Sequence, residues 1–210
     1  STTSIGAGGS DGWLLRMSQA SGGIEIQPTF GGSGNDRFMA VVEHDGDLAV
    51  TGTRDIGGDE RLWVVVLTTS GSVVWERTLS GAADARGEAL TRTPDGGLAV
   101  LASVGLGDNT SLWLSRLTAT GTRVWDQTYG EPGPDRVGDI AALQSGGLVV
   151  TSATAETPEE PFAVVTRKTD DWGEPTCEPT STCNELSVES CSLEGPCVGA
   201  TCDPGAGCQE

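Results

Sequence analysis

Two stretches of the chain, one period apart, carry the same pattern of apolar and polar positions. LWVVVLTTSGSVVW runs from Leu62 to Trp75, and LWLSRLTATGTRVW runs from Leu112 to Trp125. Each is a run of β-formers, a short polar turn closing on glycine, and a second run closing on tryptophan. Runs of that length around such a turn predict a β-hairpin. Helical spacing of apolar positions is absent, because glycine and β-branched residues are spread through every segment.

Three landmarks place this hairpin in a repeat. The first is its aromatic residue: Trp13, Trp63, Trp113 and then Phe162, at steps of 50, 50 and 49. The second is the following loop, TFGGSGNDR from Thr29, TLSGAADAR from Thr78 and TYGEPGPDR from Thr128. The third is a later hairpin, HDGDLAVTG from His44, PDGGLAVLA from Pro94 and QSGGLVVTS from Gln144. Each period then holds four strands, read in the middle copy as 62–68, 72–78, 86–92 and 97–103. The turns Asp45-Gly46 and Asp95-Gly96-Gly97 supply the positive φ of a tight hairpin. Four antiparallel strands per unit of about 50 residues is the arithmetic of a β-propeller blade.

The expected fold is therefore all-β, with propeller-type four-stranded antiparallel blades. Residues 1–173 form the repeat domain, with units near 11–58, 59–108, 109–159 and a partial unit at 160–173. Trp172 follows Phe162 by 10 residues where Trp75 follows Trp63 by 12, which predicts a shortened last hairpin. Seven hairpins make roughly 3.5 blades, whereas closed propellers hold about four to eight. One such chain leaves unpaired edges that invite another strand.

The pattern W-x3-L, short turn, G-x3-W-x2-T-Y-G, loop, D-R, strand, D-G-G-L-x-V covers about residues 11–172. It resembles the tandem propeller repeats of large secreted and surface proteins of bacteria. The spacing of Gly71 to Trp75, and of Gly121 to Trp125, is also similar to the tryptophan-docking motif of quinoprotein-type propellers. That resemblance implies that Trp75 and Trp125 pack between neighbouring blades. The period is longer than in that family, and its vicinal cysteines and ion ligands are missing, so only the packing role carries over. The sialidase Asp-box fits worse: its Asp is absent and the Gly-to-Trp spacing is one residue too long.

Composition adds a location and removes some partners. With 30 acids against 12 bases the formal net charge is −18, and Lys168 is the one lysine. Such a surface repels phosphate backbones and anionic lipids, which argues against nucleic acid and membrane insertion. No apolar run approaches the roughly 18 residues of a membrane span. The six cysteines all fall in a Pro-, Thr-, Ser- and Glu-rich tail, residues 174–210. They form three equally spaced pairs, Cys177 and Cys183, Cys191 and Cys197, Cys202 and Cys208. Such density predicts disulfides formed outside the cytoplasm. Sequential pairing is one of about 15 connectivities. Each small loop would restrain the unfolded chain by about 2–3 kcal/mol. Zinc is the competing use, but CxxC knuckles and a nearby histidine are missing.

Candidate chemistry is sparse. His44 is the one histidine, beside a turn where other copies carry Pro94 and Gln144, and is expected at an exposed loop tip. Asp36 and Asp135 recur beside Arg37 and Arg136, which favours a structural Asp-Arg pair or loop cap over a unique acid and base. The same loops offer carboxylates and carbonyls to Ca²⁺, without a DxDxDG arrangement. Asn109-Thr110-Ser111 matches a glycosylation sequon. Trp13, Trp63, Trp75, Trp113 and Trp125 are expected to pack blades, the alternative being a sugar site. The reading is of a non-catalytic extracellular or cell-surface protein of bacteria, with no cofactor and no metal site. Its partners would be copies of itself or the rest of a larger propeller. The rival is a propeller module binding glycan, protein or Ca²⁺; a hydrolase ranks third.

Overall fold

The computed structural model describes residues 6–79, 84–106, 109–130 and 133–176, together with the backbone of Thr201–Asp203 and Gly207–Gln209. The described residues contain strands and no helix. An interrupted hairpin comes first. β1 (Gly12–Trp13) pairs with β4 (Thr29–Phe30), and β2 (Arg16–Met17) pairs with β3 (Ile24–Ile26). Two four-stranded antiparallel sheets follow. The first is β5 (Arg37–His44), β6 (Asp47–Ile56), β7 (Asp59–Leu67) and β8 (Val73–Leu79). The second is β9 (Ala85–Arg92), β10 (Leu98–Leu106), β11 (Asn109–Leu117) and β12 (Arg123–Tyr129). The third sheet has three strands, β13 (Asp135–Ala142), β14 (Leu148–Thr154) and β15 (Ala163–Lys168).

The four strands read for the middle copy are all present, within about three residues at their ends. They divide between two sheets: β7 and β8 close the first, while β9 and β10 open the second. The reason is the reach of β6 into β7. A turn at Gly57-Gly58 joins them, and nine residue pairs run from Leu48 opposite Leu67 to Ile56 opposite Asp59. The longer loop after β8 instead carries the chain to the next sheet.

The sheets stack face to face, which explains the apolar runs. Leu62, Val64 and Val66 alternate with Trp63, Val65 and Leu67 along β7, and all six are buried. The first set packs with Leu98, Val100 and Ala102 of the second sheet. The second set packs with Leu14, Phe30 and Phe38 towards the N-terminal hairpin. A strand covered on both faces reads as a near-continuous apolar run. The second sheet does the same: Leu101, Leu112 and Leu114 meet Ile140, Leu148 and Val150 of the third.

Two readings of the last unit change. Ala102 faces Trp113 across β10 and β11, and Gly52 faces Trp63 in the first sheet. In the third sheet the corresponding Ser152 faces Val165, so Val165 and not Phe162 holds the hairpin-aromatic position. Phe162 precedes the strand, with the Arg136 guanidinium 3.8 Å above its ring. Nor is the last hairpin turn shortened. Asp170 N donates to Glu174 O at 2.9 Å and Gly173 N to Asp170 O at 3.3 Å, matching the bonds around Thr68 and Gly71. Trp172 therefore sits in the turn, not on a truncated partner strand. Beyond the turn, Thr169 bridges Pro175, and Thr176 N donates to Lys168 O at 2.9 Å.

In the tail, β16 (Thr201–Asp203) pairs with β17 (Gly207–Gln209), with Cys202 opposite Cys208. Cys177, Cys183, Cys191 and Cys197, and with them the question of sequential pairing, lie outside the described residues.

Candidate functional site

The joints between sheets are built from one device used three times. A residue on the outermost strand lies over the outer turn of the next sheet, and a glycine there makes room. Trp75 donates its indole N–H to Ala119 O at 3.1 Å, and a Cβ on Gly121 would stand 2.8 Å from its ring. Trp125 donates to Asp171 O at 2.9 Å, and a Cβ on Gly173 would stand 2.7 Å from its ring. Ile26 and Pro28 occupy the same place over Gly71. These glycines have φ of 79°, 82° and 87°, so both the backbone and the overlying side chain favour glycine. Two residues after each tryptophan a second side chain reaches the same turn: Arg77 to Thr120 O at 3.3 Å, and Gln127 to Trp172 O at 3.5 Å. At the third turn, the residue four after Gly173 is Cys177, outside the described residues.

The hairpin tryptophans differ by position in the stack. Trp63 is 1% exposed and Trp113 3%, whereas Trp13 is 41% exposed. Trp63 stacks on Phe38 with ring centres 4.9 Å apart, under the Arg54 guanidinium at 5.2 Å. Trp13, Leu15 and Met17 are exposed, and so are Met39 and Val41 on β5. Among the described residues, the N-terminal hairpin lacks the two inner strands that β5 and β6 give the first sheet. At the other end, among the described residues, β15 pairs with β14 and with the first residues after the turn, and Val164 is 78% exposed.

The two recurring aspartates are held differently, Asp36 through its carboxylate and Asp135 through its backbone. Asp36 is fully buried and accepts Gly32 N at 2.6 Å and Asp55 N at 2.9 Å. Its neighbour Arg37 goes to Glu60 at 2.9 Å, and Arg86 pairs with the other oxygen of that carboxylate. Asp135 N donates to Thr110 Oγ1 at 3.0 Å, while that hydroxyl donates to Asp135 O at 2.8 Å. At Asp36 the carboxylate caps a loop, while Arg37 pairs with Glu60 in its own sheet, Arg86 reaches the same carboxylate from the second sheet, and Arg136 lies over Phe162.

His44 departs from expectation. It is 4% exposed, with its Nδ1 3.7 Å from Asp45 Oδ2. The cause is turn length: His44 pairs directly with Asp47, so only Asp45 and Gly46 make the turn, and His44 becomes the buried last residue of its strand. No constellation of base and nucleophile forms around it among the described residues. No group of three or more His, Cys, Asp or Glu suited to a metal ion occurs among them either.

Burial raises the Tyr129 phenol above its ordinary range, and the negative charge of Glu174 acts in the same direction. Its hydroxyl donates to Gly173 O across the second joint. The folded state therefore keeps this proton longer than the unfolded chain does. Its stabilisation is full below about pH 10 and is lost as pH rises beyond that value. Thermal midpoints between about pH 8 and 11 are expected to fall less steeply in Tyr129→Phe than in the parent. Parallel slopes would refute this role.

No protein-family model matches the chain, and no curated protein matches it. Among solved structures, it is similar to a protein of unknown function from Bacteroides caccae, at 12% identity and a TM-score of 0.49. That match covers 77% of this chain and 56% of the other, so the chain spans little more than half the length of that protein.

Proposed function

We propose that this protein is a non-catalytic structural and interaction protein, a building block whose incomplete sheets are completed by another chain. The stacked sheets are read as propeller blades. The completing chain is a further copy or the rest of a larger propeller. Its acidic surface and cysteine-dense tail fit a secreted or surface-displayed protein of bacteria.

One observation carries this reading. Trp13 occupies the hairpin position whose equivalents Trp63 and Trp113 are 1% and 3% exposed, yet it is itself 41% exposed. In the full sheets that position is shielded by inner strands and by a neighbouring sheet. Covering the apolar side chains of Trp13, Leu15, Met17, Met39 and Val41 would stabilise an assembly by about 25 cal/mol per Å² removed from water. At the opposite end, among the described residues, the outer edge of β15 from Ala163 to Arg167 faces no further strand and would accept one.

The proposal makes Trp13→Glu a dissociating substitution. A charge on this face must be desolvated on assembly. The variant is expected to sediment at a lower mass than the parent while keeping its far-ultraviolet β signature. Equal masses for parent and variant would count against this face as the interface.

A further inference from the structure

The two joints between the three sheets differ at three positions, and the differences converge on one cleft. At the first joint, the turn of the first sheet carries Asp45, whose Oδ1 accepts a bond from the Arg92 guanidinium of the second sheet. Arg92 lies opposite Leu98, the first residue of the next strand. In the third sheet Ala142 lies in the same place, opposite Leu148. No guanidinium crosses the second joint from that position. Instead a cleft of about 370 Å³ opens there, its walls including Asp95, Arg116, Val124, Trp125, Asp171 and Trp172.

The other two differences furnish this cleft. Arg116 faces Trp125 across β11 and β12, where the first sheet has Val66 facing Trp75. Trp172 precedes the docking glycine Gly173, where the preceding copies have Thr120 and Ser70. Arg116 is buried, and its guanidinium donates to Leu98 O at 3.2 Å, to Leu117 O and to Asp95 Oδ1. Its donors are directed inward, so it orients Asp95 and does not present itself to an anion. Asp95 also accepts Thr93 Oγ1 at 2.7 Å and Gly97 N at 3.3 Å. The Thr93 hydroxyl foremost, with Gly97 N–H and Arg116, holds its carboxyl below the usual carboxylate range against a partial burial effect. Asp95 is thus an ionised acceptor at neutral pH, and its side chain is 70% exposed.

The apolar part is equally placed. Trp125 is tethered to Asp171 O, and Trp172 is 66% exposed on a turn fixed by its own N–H to Asp170 Oδ1 at 2.9 Å. Trp172 is the most exposed of the six tryptophans and lies outside the repeat positions of the other five. An apolar cleft with a few convergent polar groups is the usual form of a small-ligand site. An exposed indole beside a carboxylate suits a ligand with an apolar face and a rim of hydroxyl donors. Anionic ligands are disfavoured by Asp95, Asp171 and a net charge of −18.

We propose that this cleft binds a neutral pyranose unit of a glycan, its ring face on Trp172 and a hydroxyl donating to Asp95. The site lies wholly within one chain, so it stands or falls independently of assembly. The test titrates the full-length protein with the methyl glycosides of glucose, galactose, mannose and N-acetylglucosamine, read by tryptophan fluorescence and calorimetry. At least one sugar is expected to bind saturably with a dissociation constant on the order of 1 mM. Trp172→Ala is expected to weaken it by about tenfold or more. Ala142→Arg, which rebuilds the closure of the first joint, is expected to do the same with an unchanged circular dichroism spectrum. Trp172 is exposed, so its replacement reports on binding even where Ala142→Arg disturbs folding. No saturable signal with any of the four sugars up to about 100 mM would overturn the proposal, as would binding undiminished in Trp172→Ala.

Discussion

Trp63→Ala is expected to cost about 3–5 kcal/mol of folding stability. Trp63 is 1% exposed and lies between the first sheet and the N-terminal hairpin, in contact with Phe38. Its removal leaves a cavity that Val50, Val65 and Leu67 cannot fill, because strand pairing fixes their backbones. It also releases Glu76 Oε2 from the indole N–H at 3.3 Å. The same change at Trp13, in the same repeat position, is expected to cost about 1 kcal/mol or less in the isolated chain. Urea denaturation of the two variants measures the contrast. Similar losses at both positions would refute the stacking order described here.

Gly87→Val is expected to destabilise by about 3 kcal/mol, at the upper end of overpacking effects. Gly87 is on β9, and a Cβ there would lie 2.3 Å from Thr51 Oγ1, 2.5 Å from Leu62 Cδ1 and 2.8 Å from Gly52 O. Those atoms belong to the first sheet, so the two sheets would have to separate along their shared core. Separation exposes the cluster of Leu62, Val64, Leu98 and Val100. Gly58→Ala separates steric from conformational cost. Gly58 has φ of 96° and nothing within 4 Å of its Cβ position, so only backbone strain of about 1–2 kcal/mol remains. Calorimetric melting of the two variants distinguishes them, and equal losses would contradict a close approach of sheets at Gly87.

Much of this fold was legible in the sequence, and particular residues show why. Leu62–Trp75 and its copy mark strands because both faces of β7 and β11 are buried, so their runs are largely apolar, with Ser115 and Arg116 the buried polar exceptions in β11. The turn glycines Gly71 and Gly121 were legible because positive φ demands glycine. The third copy misled because the loop from Ala155 to Phe162 is longer than its counterparts, and Phe162 falls near the expected step by coincidence. Alignment on the turn glycine Gly173 would have placed Val165 correctly. His44 misled because a turn shorter by one residue moves it from the tip into the strand. The cleft was not legible, since it depends on Ala142 replacing Arg92 and on Trp172 replacing Thr120. Both correspondences lie in the repeat spacing, but that they meet at one joint emerges only from how the sheets stack.

Asp36 and Asp135 show the limit of motif reading in another way. Their recurrence signalled a structural role, but not which partner each takes. Asp36 caps backbone N–H groups, while Arg37 and Arg86 converge on Glu60 from neighbouring sheets. That convergence depends on how closely two sheets approach, which spacing along the chain does not encode.

The native mass of the full chain, measured by light scattering with and without reductant, tests the central claim most directly. Completion of the sheets by another chain predicts a particle of at least about twice the 21.5 kDa of one chain when copies complete one another, and dissociation by Trp13→Glu. A compact, monodisperse 21.5 kDa particle, unchanged by Trp13→Glu and stable on dilution, would contradict it.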